Sequence, residues 1–235
     1  MKTYPICLIG LEESVVVVVG GGEIATRKVL SLLEAGARVT VISPKLDQEM
    51  QDLAENGEIS LLARCYQAGD LQSVFITTAS RGEAPASAPG LVIAATDSPE
   101  VNHAVWLEAC QLGCLVNVVD DPKHSNFILP AVVEYGELKI SISTGGASPA
   151  LARRLREKLS AIIGPEYGIL AGLLAELRPE LHARFGAGEP RLQAALQMVD
   201  SDALEIIRTQ GNQAGRRYLT QLLERLEADQ RKQRA

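Results

Sequence analysis

The hydrophobic pattern divides the chain in two. Up to about residue 121, short apolar runs alternate with segments whose apolar positions recur every three or four residues; beyond it, helical periodicity prevails. Val15 to Val19 is an unbroken apolar run, as a strand buried on both faces of a parallel sheet requires. Similar runs at 37–42 (ARVTVI), 59–65, 91–96 (LVIAAT) and 115–119 (LVNVV) predict further strands, and PICLIGL at 5–11 predicts a short one ahead of the valines. Helices are expected at 24–35, closed by Gly36, at 46–56, and at 101–112 behind a Ser98 cap with Pro99 at the first helical position. Residues 69–90 combine an apolar SVFITT with RGEAPASAPG, which is small, Pro-rich and loop-like. Strands alternating with helices predict an α/β fold, a Rossmann-like doubly wound parallel sheet.

After Asp121, two strands are expected at 127–133 and 138–143, the second (LKISIS) alternating like a sheet with one solvated face. A glycine-rich turn, STGGASP, follows, and then helix to near the end, divided by Pro165, Pro179 and Pro190, with a polar, frayed last dozen residues. The expected organisation is a dinucleotide-binding domain at 1–121, a strand-rich dimerisation segment at 122–147 and a helical domain at 148–235. The strand pair is too small to bury its own face, which points to a homodimer.

Composition narrows the function classes. With 46% apolar and 22% charged residues the chain is an ordinary globular one, and its net charge of −6 argues against nucleic acid as a partner. No apolar run is long enough to span a bilayer and no signal-like segment opens the chain, so a cytoplasmic location with no membrane partner is expected. The four cysteines show no C-x-x-C pair; Cys110 and Cys114 would share a helix face only if the helix ran through Gly113. No permanent metal site is expected.

The candidate chemistry begins behind the valines. Gly20, Gly22 and Ala25 have the G-x-G-x-x-A spacing at which a dinucleotide pyrophosphate meets a helix N-terminus. The alternative is a tight strand–helix corner without a ligand. The cofactor contacts expected are Gly20, Gly21, Gly22, Glu23, Ile24 and Ala25, then Ser43 and Pro44 after the second strand, and Thr96 and Asp97 after LVIAAT. Ser43 occupies the place where an acidic residue usually meets the ribose, and Lys45 is near enough to meet a 2′-phosphate, so NAD and NADP both stay open on these residues. Asp97 and Asp120 sit where open α/β sheets bind ligands; the plain alternatives are a helix-capping Asp97 and an Asp120 that only turns the chain before Pro122.

VVGGGEIATRKVLSLLEAGARVTVISP, LVIAATDSPEVN, NVVDDPKHSNFILPA and ISISTGGASPALARRLREKL, in that order and covering most of residues 1 to 160, resemble the precorrin-2 dehydrogenase family of sirohaem synthesis. The family includes the amino-terminal module of fused sirohaem synthases. The resemblance implies NAD as cofactor, precorrin-2 as substrate and sirohydrochlorin as product; in several members the same site inserts ferrous iron, there a substrate, to give sirohaem. Its essential aspartate falls on Asp120, implied as the general base of the dehydrogenation and an aid to metal insertion. Its serine or threonine before the GG turn falls on Thr144, with Gly145 and Gly146 behind it. Related proteins are homodimers.

A polycarboxylate tetrapyrrole calls for cations and free backbone N–H groups. Arg153 and Arg154, in the helix begun by Ser148 and Pro149, are expected contacts, as are Lys123 and His124; a solvated helix face and a surface histidine are the plain alternatives. Of three histidines, His124 is best placed to take up pyrrole protons, since His103 and His182 fall in predicted helices. The 73–90 segment is longer than family members usually have, and the tail after Gly186 differs. Some relatives catalyse the oxidation alone. A rival from another class is a nucleotide-sensing regulatory module, which would need the glycine turn but not Asp120.

Overall fold

The structure is a computed structural model that describes residues 3–80 and 90–234. Apart from Gly90, the loop expected at RGEAPASAPG lies outside them. The chain forms two compact units, one running to Leu129 and the other from Pro130 onward.

The first unit is a parallel five-stranded sheet of β1 (Val15–Val19), β2 (Arg38–Ile42), β3 (Ser60–Leu62), β4 (Leu91–Ala94) and β5 (Leu115–Val118), ordered β3-β2-β1-β4-β5. Its helices are α1 (Glu23–Glu34), α2 (Gln48–Glu55), α3 (Asp70–Ser80) and α4 (Pro99–Gln111). All five valines of β1 are buried. Val16 and Val18 pack with Ala25 and Val29 of α1 and Met50 of α2, whereas Val17 and Val19 pack with Leu71 of α3 and Val105 and Ala109 of α4. Successive side chains of a strand point to opposite faces, so a strand covered on both sides is apolar at every position. This is the expected Rossmann-like sheet, and its order reverses at β1, placing the ligand crevice at the carboxyl ends of β1 and β4.

Two expectations change here, and one segment without an assignment gains an element. PICLIGL is not a strand: Tyr4, Ile6 and Ile9 are exposed, and a 3₁₀ turn at Leu11–Glu13 leads into β1. Both sides of β1 are already paired, to β2 and β4, so no place beside it is left. SVFITT belongs to helix α3, whose entry is satisfied from elsewhere in the unit: Glu108 of α4 accepts from the N–H groups of Gly69 and Gln72, and Asp70 accepts from Gln67 N–H and from Arg64. Phe127 to Pro130 is not strand either.

Instead, the segment before it finishes the edge of β5 with side chains. Val116 N–H donates to Asn126 Oδ1 at 2.7 Å and Val118 N–H to Ser125 Oγ at 2.9 Å, while Asn126 N–H returns a bond to Val116 O and Asn126 Nδ2 donates to Cys114 O. A strand edge that would present unpaired N–H and C=O groups is closed without a sixth strand.

The second unit opens with an antiparallel pair, β6 (Ala131–Tyr135) and β7 (Leu138–Ile142), joined through Gly136 at φ 56°. Five helices follow: α5 (Pro149–Ile162), α6 (Pro165–Arg184), α7 (Glu189–Val199), α8 (Ala203–Gln210) and α9 (Asn212–Arg234). Pro179 does not divide them but lies inside α6. The tail is helical, not frayed, because Leu219 and Leu223 are fully buried with Leu173, Leu177 and Ile207. Among the described residues no single helix is long and apolar enough to cross a membrane.

Replacing Asn126 by alanine leaves Val116 N–H and Cys114 C=O without these partners. Losing such bonds to partly buried backbone costs about 1–3 kcal/mol. Asn126→Ala is therefore expected to lower the urea midpoint of unfolding by that amount at unchanged slope, and an unchanged midpoint would show that the edge needs no such closure.

Candidate active site

The carboxyl edge of the parallel sheet gathers the ends of β1, β2, β4 and β5, and with them most of the residues singled out in the first unit. In register, Val19 pairs with Ile42 and with Ala94, and Ala94 pairs with Val118. Directly past these positions stand Gly20, Ser43, Ala95 with Thr96, and Val119 with Asp120.

The three glycines behind β1 have separable causes. Gly20 has φ 125°, and a Cβ there would stand 2.2 Å from the carbonyl oxygen of Ala95. A Cβ on Gly21 would stand 2.2 Å from the carbonyl oxygen of Lys45. Both are glycine because the fold packs backbone against backbone there. Gly22 is different: its φ of −92° suits any residue, and nothing lies within 4 Å of a Cβ built on it. The fold does not require glycine at this position; a ligand approaching the backbone would.

The start of α1 agrees. Gly22 is its N-cap with no side-chain cap, and the first intrahelical bond runs from Thr26 N–H to Gly22 O. The preceding N–H groups, Glu23, Ile24 and Ala25 among them, are those a helix leaves for an anion. By contrast, α2 and α4 are capped by the side chains of Asp47 and Ser98. Ala25 is fully buried against the sheet. This set of donors fits a dinucleotide pyrophosphate.

Around it the walls are tied together. Asp47 N–H donates to Gly21 O, and Thr26 Oγ1 donates to Asp47 Oδ2 at 2.6 Å. Ser43 is buried and its hydroxyl donates to Lys45 O at 2.6 Å, so its proton is spent within the loop; Pro44 and Lys45 are exposed. On β4's side, Thr96 is held by Asn102 of α4. Thr96 N–H and Oγ1 donate to Asn102 Oδ1, and Asn102 Nδ2 donates back to Thr96 O. Ser98 caps α4 by accepting from Val101 N–H, which leaves the exposed Asp97 without that task.

Asp120 is the most unusual residue of this edge. It is exposed, with φ 59°, the one non-glycine left-handed residue among those described. Asp121 N–H donates to Val118 O at 3.1 Å, closing a turn with Asp120 at its third position, where a positive φ normally calls for glycine. The left-handed conformation costs a side-chain-bearing residue about 1–2 kcal/mol, somewhat less for aspartate. Lys28 of α1 is near enough to feel Asp120: burial lowers its pKa, the neighbouring Arg27 adds to that, and the Asp120 carboxylate opposes both.

The turn after Asp120 is closed by Asp121. Its Oδ1 accepts from the N–H groups of Lys123 and His124, and its Oδ2 takes a 2.5 Å bond from His124 Nδ1. This bond, before the backbone ones, holds the Asp121 carboxyl below the usual carboxylate range. His124 in turn sits edge-on to Trp106 and His103 of α4, with centroids 4.5 and 5.0 Å away. Lys28, Asn102, His103 and Trp106 carry no role in the sequence reading. Asn102 and Lys28 lie within recognisable motifs, but nothing in their spacing says which neighbour they meet.

In the second unit, Gly145 and Gly146 have φ 62° and 82°, Thr144 Oγ1 accepts from Ser148 N–H, and Ser148 caps α5. Arg153 and Arg154 are exposed and both pair with Glu157, whose carboxyl they hold low, Arg154 most strongly.

Residues 7–131 match a family described as "Putative NAD(P)-binding", and residues 136–161 match the sirohaem biosynthesis protein central family. The chain is 39% identical over 213 residues to siroheme synthase 1 of Aeromonas salmonicida and 40% identical over 213 residues to siroheme synthase 3 of Aeromonas hydrophila. Each alignment takes in 91% of this chain but 42% of the relative, so the chain spans well under half the length of these proteins. Among solved structures, SirC, a precorrin-2 dehydrogenase, superposes with a TM-score of 0.71 at 27% identity, over 95% of this chain and all of its own.

The glycines provide a direct test. Gly22→Ala is expected to leave the melting temperature unchanged while weakening NAD⁺ binding about tenfold or more, ~1.4 kcal/mol. Gly20→Ala is expected to destabilise the fold itself. Thermal melts with and without NAD⁺ separate the two, and equal NAD⁺ affinity in Gly22→Ala and the parent would remove the turn from the cofactor site.

Proposed function

We propose that the chain, which belongs to the family described as putative NAD(P)-binding and also matches the sirohaem biosynthesis protein central family, oxidises precorrin-2 to sirohydrochlorin with NAD⁺. One observation carries the reading: an aspartate, Asp120, is held left-handed at the same sheet edge as the uncapped glycine turn. A nucleotide sensor would use the turn and have no need of the aspartate.

In this reading Gly22 and the first N–H groups of α1 hold the pyrophosphate, and Thr96, fixed by Asn102, lines the opposite side of the crevice. Bound there, NAD⁺ supplies the hydride acceptor. Asp120 removes the proton that leaves the macrocycle alongside the hydride. Lys28 steadies the charge on that carboxylate. In the first unit Lys123 is a candidate for carboxylates of the substrate; in the second, taken by itself, Thr144, Gly145, Gly146, Arg153 and Arg154 are candidates.

Two further proposals extend this one. Ferrous iron is a second substrate at the same site: its insertion into sirohydrochlorin releases two pyrrole protons, of which Asp120 takes up one and solvent the other. The protein is a homodimer, supported by a sheet of only two strands and by Leu151, Leu155 and Ile162 exposed along α5. Free thiols at Cys7, Cys65, Cys110 and Cys114 suit a reducing, cytoplasmic setting.

Asp120→Asn keeps the shape and the tolerance of a left-handed φ but cannot accept the proton. It is expected to bind NAD⁺ normally and to lose about 10²–10⁴-fold in precorrin-2 oxidation, followed as NADH absorbance. Turnover at the parent rate would sink the assignment. Ferrous iron added to the parent reaction tests the second step through the appearance of the sirohaem spectrum.

A further inference from the structure

The turn Asp120–His124 carries a histidine whose surroundings the reaction above does not use. Asp121, ionised at neutral pH, can only accept, so the proton of the 2.5 Å bond resides on His124 Nδ1. That fixes the tautomer and the orientation of the ring. From outside its turn the half-buried ring also meets Trp106 at 4.5 Å and His103 at 5.0 Å, themselves 5.2 Å apart. The turn is anchored at its far end as well, since Ser125 Oγ donates to Asp121 O at 2.8 Å.

The consequences reach Asp120. Its φ of 59° is unfavourable for an aspartate left to itself, so something must hold the turn closed around it. On one side stands β5. On the other, Asp121 ties the chain to the backbone of Lys123 and His124 and to the imidazole, and the imidazole is wedged against α4.

We propose that His124 is a positioning residue for Asp120: clamped by Asp121 and seated against Trp106 and His103, it holds the turn that keeps the Asp120 carboxylate at the sheet edge. This deepens the reading of Asp120 as the proton acceptor and rests on it. The titratable groups in contact with His124 are Asp121 from its own turn and His103 from α4; Asp120 and Lys123 lie on the same turn. Trp106 is the chain's single tryptophan, so indole fluorescence reports on this clamp alone.

The experiment uses the whole chain, as the parent and as His124→Ala and His124→Asn. Asparagine places an N–H donor close to the position of Nδ1. Trp106 emission is expected to change in His124→Ala and to return toward the parent in His124→Asn. His124→Ala is expected to lower kcat about 10–100-fold at unchanged KM for NAD⁺, the scale on which small misplacements of a reacting group act, and His124→Asn to recover most of the loss. With ¹³C-labelled aspartate, the Asp120 carboxyl resonance, assigned from the Asp120→Asn spectrum, should move in His124→Ala and return in His124→Asn.

An Asp120 resonance that stays in place in His124→Ala would overturn the proposal, as would an Asn variant no better than Ala. So would a loss appearing in KM for NAD⁺ and not in kcat. Should His124→Ala fail to fold, His124→Asn against Asp121→Asn makes the same comparison. A parent protein that oxidises no precorrin-2 would defeat the proposed function, while the resonance and fluorescence would still decide whether the clamp holds Asp120.

Discussion

The close approach of backbones at the carboxyl end of β1 is the constraint on which the first unit depends. A strand of five buried valines can be covered on both faces only if it lies at the centre of the sheet, flanked by β2 and β4. It must then leave that centre between two neighbouring chains. At Gly20 and Gly21 the space for a side chain is already taken by the carbonyls of Ala95 and Lys45. The hydrophobic demand of the strand and the steric demand of its exit are thus one requirement, and α1 begins where both are met. The first turn of α1 is then left uncapped by a third glycine, Gly22, which the packing does not require and which has no side chain with which to satisfy it.

The other end of the edge is governed by polar bonds. With no sixth strand beside it, β5 takes its outer hydrogen bonds from Ser125 and Asn126, and those residues can reach it only if the chain folds straight back after Val118. The fold-back is the turn that bears Asp120. Edge closure, the Asp121 cap and the left-handed aspartate are therefore mechanically one device, built from the short sequence 118–126.

Legibility in the sequence divides along the same line. Elements defined by their own residues were readable: the valine strand, the helix behind the glycines with its Gly36 stop, and the Ser98–Pro99 start of α4. What depended on partners was not. SVFITT is apolar enough for a strand, yet Glu108, far away in sequence, satisfies the start of a helix there. PICLIGL has strand composition and no vacant neighbour. Pro179 reads as a break but is carried within α6, and the polar tail becomes helix because Leu219 and Leu223 supply a buried stripe that its overall polarity conceals. The glycine turn and Asp120 could be picked out as candidates, whereas Asn102, Lys28 and the ring pair of α4 emerge only when α1 and α4 are laid on the sheet.

The strongest argument that Asp120 is more than a turn residue comes from the chain's own usage. Every other left-handed position among the described residues is glycine, including Gly36 after α1, Gly113 after α4 and Gly136 between β6 and β7. Where the fold needs only a reversal, it is served by the residue that makes one without strain. At 120 a reversal alone would be served the same way. An aspartate there accepts a conformational cost of about 1–2 kcal/mol and places a carboxylate at the one edge of the sheet where the backbone is already opened for an anionic ligand. A sensor needs the opening; oxidation that releases a proton needs the carboxylate as well.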